Sequence, residues 1–185
     1  RGVPLAPECE VVGIETAKHP VEGATWEIDG HVVAGDKPIT ICVDEFTYTL
    51  SSSSFFQVNR HLLSTLLRLV TGHAARVKRK RVAIDLYAGV GFFTVPLKKM
   101  FERVIAVEGA ADPHSDLEIV ESPVENFDIP GADFIFLDPP RAGTRKSVVE
   151  SIARRAREMV CYLSCDPVTF SRDASRLIAS GWRLA

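Results

Sequence analysis

The chain has 185 residues, enough for one substantial core or for one core and a small satellite module. Its 46% apolar and 25% charged residues are ordinary for a globular protein, and no apolar run approaches the length of a membrane span. A net charge of −2 excludes a global attraction to nucleic acid, and four scattered cysteines, Cys9, Cys42, Cys161 and Cys165, exclude a disulfide scaffold and imply a reducing, cytoplasmic setting.

The opening "RGVPLAPECE" has no charged head followed by an apolar stretch, so it does not read as a signal peptide. It starts on Arg1, and the closing "GWRLA" looks like a strand just beginning, so both ends of a longer protein are expected to be missing. Residues 1–54 read as a small antiparallel β-rich module, part of a central domain. In "WEIDGHVV", Asp29-Gly30 separates two β-branched or apolar arms, a hairpin signal. "ITICVDEFTYTL" repeats the pattern, with Asp44-Glu45 as the turn, and Ser51 to Ser54 form a polar joint.

From Phe55 the texture changes to helices alternating with buried strands. "NRHLLSTLLRLVTG" places Leu62, Leu63, Leu66, Leu67 and Val70 on one helical face, with Asn59 as N-cap and Gly72 at the C-terminal end. "RVKRKR", Arg76 to Arg81, follows as a basic cluster, read as a solvated connection in preference to a phosphate-contacting patch. Strands are expected in "RVAIDLYA", "RVIAVEG", "LEIVES", "DFIFLDPP" and "MVCYLSC", several of them continuous apolar runs typical of parallel strands covered on both faces. Helices are expected over Phe92–Phe101, Thr144–Arg157 and Val168–Ser180. The fold class is α/β, a Rossmann-like doubly wound sheet behind a small antiparallel β module. One connection is too short. Only eight residues separate Glu108 from Leu117, whereas a parallel crossover needs about a dozen or more. Either these strands are not parallel neighbours or residues have been left out, and the second explanation is preferred.

Three stretches carry chemistry. "DLYAGVGFF" is a strand, a Gly-rich turn and a helix start, in which Gly89 and Gly91 let the backbone bend tightly and approach a ligand. Nineteen residues after Gly89, Glu108 ends the next strand, placed to accept hydrogen bonds from ribose hydroxyls of a nucleoside-bearing cofactor. Thr94 stands where the dinucleotide fingerprint has its third glycine, which argues against NAD. "FLDPPRAG" puts Asp138 in a rigid turn at the carboxyl end of a strand, where open α/β sheets bind ligands. An ordinary Pro-rich loop is the competing reading. "YLSCDPVTFSRD" ends the fifth strand at the same edge with Cys165, for which a buried structural thiol like Cys161 is the competing reading. Cys161 and Cys165 are four apart with no Cys or His near them in a zinc-ligand spacing, so no metal site is expected.

"FFQVN", "DLYAGVGFFTVPL", "VIAVEG", "LDPPRAG" and "YLSCDPVTFSRD", in this order, resemble the S-adenosylmethionine-dependent uracil-5 methyltransferases of tRNA and ribosomal RNA, over roughly residues 20 to 185. The resemblance implies that residues 55–185 are a class I methyltransferase domain, incomplete at its C-terminus. It implies that Gln57, Tyr87, Gly89, Gly91, Glu108 and Asp138 line the S-adenosylmethionine pocket and that Cys165 is the nucleophile. Phe92 stands where some members carry Asn, and Asp166 where many carry Asn, the latter adding charge beside the thiol. The chemistry implied is thiol addition at carbon 6 of uracil, which makes carbon 5 nucleophilic towards the methyl-sulfonium, then removal of the carbon 5 proton and release of the thiol. In the family that base is a glutamate near the C-terminus, and the chain stops before the matching position. An RNA substrate, with its uridine flipped out or in a loop, no membrane and a monomeric state are expected. The family's additional N-terminal β-barrel finds no match here.

Three rivals make different demands. An RNA cytosine-5 methyltransferase usually carries a second cysteine in the Asp-x-Pro-Cys turn, where this chain has Asp138-Pro139-Pro140-Arg141. An amino-group methyltransferase leaves Cys165 unexplained. A non-catalytic RNA-binding module of the same fold has no need of the cysteine.

Overall fold

In the computed structural model, which describes residues 26–28, 31–34, 39–51, 54–57, 59–112, 115 and 117–185, the chain begins with two antiparallel hairpins. Strands β1 (Trp26–Ile28) and β2 (His31–Ala34) pair with Ile28 opposite His31; the Asp29-Gly30 turn itself lies outside the described residues. Strands β3 (Ile39–Val43) and β4 (Phe46–Leu50) flank Asp44-Glu45, where Asp44 takes the positive φ that tight hairpins require, +51°. Phe46, Tyr48 and Leu50 alternate inward, as the period of two dictates, and join one core with Leu63, Phe92 and Phe136. The polar joint is anchored as well. Ser51 N–H (2.7 Å) and the Ser51 and Ser54 hydroxyls donate to Asp112 Oδ2.

Asn59 accepts from His61 N–H and caps a 3-10 turn, Arg60–Leu62, that leads into α1 (Leu63–Arg76). Leu63, Leu67, Val70 and Ala74 form its buried stripe. The helix runs a full turn past Gly72, which lies exposed with open space around it; a glycine there costs about 1 kcal/mol but does not stop a helix that buries Ala74 beyond it.

The centre is a five-stranded sheet of β5 (Val82–Leu86), β6 (Arg103–Glu108), β7 (Ile119–Glu121), β8 (Ala132–Leu137) and β9 (Ala156–Tyr162), in the order 7-6-5-8-9. Every pairing is parallel. All six residues of β8 are buried, because helices cover both of its faces. Ala83, Phe134 and Phe136 face α1, the short α2 (Thr94–Lys98) and the β3–β4 hairpin. Ile84, Leu86, Ile135 and Leu137 face α3 (Lys146–Arg155) through Val148 and Ile152. Helix α4 (Pro167–Ala179) follows β9.

Three boundaries differ from the sequence reading. Helix α2 has five residues, since residues 89–93 are taken up by the turn that Gly89 and Gly91 make possible. Helix α3 starts at Lys146, two residues later than expected, and β9 begins at Ala156, directly after it. Strands β6 and β7 are parallel neighbours, with Glu108 opposite Glu121, although only eight residues separate Glu108 from Leu117. Residues 109–118 join them without a described helix, and the sheet is thinly covered there: Val120 is 40% exposed and Ile105 only half-buried.

Candidate active site

Parallel strands release their following loops at one edge, so residues 87–93, 109–112, 138–145 and 163–166 all gather at the carboxyl edge of the sheet. After β5 the backbone turns left-handed three times, at Tyr87 (φ +62°), Gly89 (+54°) and Gly91 (+83°). For Tyr87 this costs on the order of 1–2 kcal/mol, a strain that local bonding must overcome. That bonding is present. Ala88 N–H donates to Val107 O (3.0 Å), and the Tyr87 hydroxyl meets Thr144 Oγ1 at 2.8 Å and Glu125 at 3.4 Å. Glu108 Oε2 accepts from Gly89 N–H (2.8 Å) and Oε1 from Gly109 N–H (2.7 Å), so the acid that ends β6 holds the turn that follows β5. A Cβ on Gly89 would meet nothing within 4 Å, which leaves space above the turn, whereas Leu117 lies directly against Gly91.

Asp85 lies fully buried on β5. Its Oδ2 accepts from Thr94 Oγ1 (2.5 Å), and among the described residues its Oδ1 has no hydrogen-bond partner. Burial pushes its carboxyl up to about 7; the Thr94 hydroxyl pulls it back, and the nearby Asp138 and Glu108 carboxylates raise it further. Asp138 Oδ2 accepts from Gln57 Nε2 at 3.0 Å, which brings together two residues 81 positions apart. Burial pushes Asp138 up to about 6, with the Gln57 hydrogen bond opposing. Gln57 is held by its neighbour Phe56, whose ring packs on Tyr48 and edge-on against Phe92 (5.3 Å). Phe92 is thus a packing residue, 4% exposed, and turns its ring into the core.

Cys165 sits exposed just before the N-cap of α4, whereas Cys161 is half-buried on β9 and burial pushes its thiol up to about 11. Asp166 is the cap itself, accepting from Val168 and Thr169 N–H at 2.9 Å each. Those bonds hold its carboxyl below the ordinary range, and its charge is committed to the helix start. The basic cluster lies elsewhere. Lys78 and Arg79 N–H donate to Glu158, and Arg81 N–H to Asp133, all at the amino edge of the sheet, opposite the thiol. A groove of about 360 Å³ runs along the free side of β9, past His73, Cys161, Phe170 and Trp182, and includes neither Cys165 nor any of the three carboxylates. Among the described residues no cluster of His, Cys, Asp and Glu is placed to hold a metal ion, and no helix is long and apolar enough to cross a membrane.

Residues 28–129, more than half of the chain, match the family described as tRNA (uracil-5-)-methyltransferase. The chain belongs to that family. An RNA methyltransferase of Thermotoga maritima is 34% identical over 162 residues, 78% of this chain and 37% of that protein. The tRNA (uracil(54)-C(5))-methyltransferase of Pyrococcus horikoshii is 29% identical over 78% of this chain and 37% of its own length. The crystal structure of Pyrococcus abyssi tRNA (uracil-54, C5)-methyltransferase in complex with S-adenosyl-L-homocysteine aligns with a TM-score of 0.67 at 24% identity, over 83% of this chain and 43% of that one, and shares the fold. The chain spans between 34% and 42% of the length of its curated relatives.

Gln57, Tyr87, Gly89, Gly91, Glu108, Asp138 and Cys165 therefore all stand on loops of one sheet edge or against them. Asp85 was missed in the sequence, although a lone acid at the end of the apolar "VAIDL" was the available signal.

Proposed function

We propose that the protein transfers a methyl group from S-adenosylmethionine to carbon 5 of a uridine in structured RNA, tRNA or ribosomal RNA, through a covalent adduct with Cys165. Family membership supports an RNA uracil-5 methyltransferase. The observation that carries the thiol is the contrast between exposed Cys165 at the carboxyl edge and half-buried Cys161 on the strand below it.

The residues fit the cofactor. The glycine turn has open space above Gly89, Asp85 Oδ1 is buried with no hydrogen-bond partner among the described residues, and Glu108 and Asp138 offer carboxylates at the ends of the strands on either side of β5. Gln57, Tyr87, Gly89, Gly91, Glu108 and Asp138 would hold it, Tyr87 through its strained backbone, since its hydroxyl is engaged with Thr144. When bound, S-adenosylmethionine supplies an electrophilic methyl on a sulfonium.

The Cys165 thiolate adds its electron pair to carbon 6, and the carbon 5–carbon 6 π pair moves into an enolate. Carbon 5 then takes the methyl, and the electron pair of the broken carbon–sulfur bond stays on the donor's sulfur. Loss of the carbon 5 proton to a base returns an electron pair to the ring double bond, and the thiolate leaves. Neither Asp138 nor Asp166 is assigned that proton, because one carries Gln57 and the other caps α4. Residues 55–185 would form the methyltransferase domain and residues 1–54 part of a central domain, acting as a monomer in the cytoplasm. Incubating the full-length protein and labelled methyl donor with unmodified tRNA and, separately, with unmodified ribosomal RNA, then analysing the nucleosides, tests the reading. Label in 5-methyluridine of one of the two is expected; label in 5-methylcytidine, or none in either, contradicts it.

A further inference from the structure

Helix α4 does more than follow Cys165. Asp173, one and a half turns into it, has a fully buried carboxylate that accepts five hydrogen bonds. Oδ2 takes Thr144 N–H (3.0 Å), the Tyr162 hydroxyl (3.0 Å) and Arg172 Nη2 (3.1 Å); Oδ1 takes Arg172 Nε (2.9 Å) and Arg176 Nη1 (3.0 Å). Arg172 Nη2 also donates to Ala142 O (3.0 Å) and Thr144 O (3.3 Å), and Thr169 Oγ1 donates to Arg141 O (3.0 Å). Positions 169, 172, 173 and 176 share one helical face, and the first three of them bond to the backbone of residues 141–144.

Gly143 provides an independent observation. It takes φ +72°, and a Cβ there would come within 2.5 Å of Arg172 Nη2 and 2.7 Å of Asp173 Oδ2. The loop backbone rests directly on the ion pair, with room for nothing between. From Thr144 the network continues through its hydroxyl to Tyr87, so the loops after β5 and β8 and the helix after β9 are tied together.

Apolar contact alone could dock a helix here, as Val148 and Ile152 dock α3. A buried carboxylate is costly to desolvate, and what it adds over apolar contact is direction: its bonds are satisfied in one register only. The loop it holds begins at Asp138 and contains Arg141; the helix it belongs to carries Cys165 at its start. We infer that Asp173 and Arg172 form a clamp that fixes Cys165 relative to the Asp138–Thr144 loop, which makes Asp173 a positioning residue for the thiol-addition step. This rests on the function proposed above. Misplacing a reacting atom by about 1 Å can cost on the order of a hundredfold in rate, so a loosened clamp acts on chemistry before it acts on binding.

The test uses the full-length protein with 5-fluorouridine-containing tRNA and S-adenosylmethionine at saturation, reading the single-turnover rate of adduct formation beside the affinities for both ligands. Asp173→Asn should slow the adduct by about tenfold or more while both affinities stay within about threefold. Should that variant fail to fold, Arg172→Lys tests the same point, since Asp173 keeps its bonds from Thr144, Tyr162 and Arg176 while the fork onto Ala142 and Thr144 is lost; a slowing of about threefold or more is expected. Normal adduct rates in the folded variants overturn the clamp alone. No adduct between the unsubstituted protein and the fluorinated form of an RNA that it methylates overturns the thiol reading, and the clamp with it.

Discussion

Cys161 and Cys165 are four residues apart and chemically alike, yet the strand buries one and the helix start exposes the other. Cys165→Ser should abolish methyl transfer and leave the unfolding midpoint unchanged, because a serine hydroxyl supplies no anion at neutral pH. Cys161→Ser should spare transfer and cost about 1 kcal/mol in a denaturant titration, the penalty of placing a hydroxyl in an apolar strand environment. The carboxylates of the site make a second prediction. Burial holds Asp85 near 7 and Asp138 near 6 in the native state, so between their ordinary values and these the native chain binds more protons than the unfolded one. Their contribution to stability is therefore complete below about pH 4 and is lost as the pH rises towards 7. Asp85→Asn should flatten part of that loss, read as the difference between variant and parent in urea titrations of the cofactor-free chain at pH 4.5 and 7.5. An identical pH profile would place the titration elsewhere. At this scale the residue types at the site were legible from the spacing of glycines, acids and cysteine; the partners were not. Nothing in the sequence says that Gln57 reaches Asp138 or that Glu108 closes onto Gly89, because those contacts depend on loops meeting across strands.

The strands were read most accurately where burial on both faces leaves a continuous apolar run, as in β8. They were read least accurately at the edge. Strand β9 opens with Ala156 and Arg157, which read as the end of the preceding helix because Arg157 meets solvent at the rim of the sheet. Phe136 of β8 is fully buried with its ring 4.5 Å from Phe93, so Phe136→Ala should cost about 3–5 kcal/mol, measured by chemical denaturation. A loss under about 1 kcal/mol would mean that the central strand is not packed as described. Strand β7 is the opposite case: three residues, none fully buried, joined through a connection without a described helix. Its amides should exchange with deuterium well before those of β8. Equal protection of the two strands would mean that this side of the sheet is better covered than β7 and Val120 indicate.

Across the whole molecule, a run of parallel strands converts residues scattered from Gln57 to Cys165 into one edge, and the hairpin of β3 and β4 braces that edge through Tyr48 and Phe92. The parallel sheet was legible because apolar runs alternate with amphipathic helices; the brace was not, since the alternation of Phe46, Tyr48 and Leu50 tells which face is buried and not what buries it. The claim that this edge does covalent chemistry on uracil is open to one direct measurement. The full-length protein, incubated with S-adenosylmethionine and tRNA containing 5-fluorouridine, which leaves no removable proton at carbon 5 after methylation, should be trapped as a stable adduct. Digestion and mass spectrometry should locate the methylated nucleotide on the peptide containing Cys165. Methyl transfer to unmodified tRNA with no adduct on Cys165 from the fluorinated substrate would contradict it.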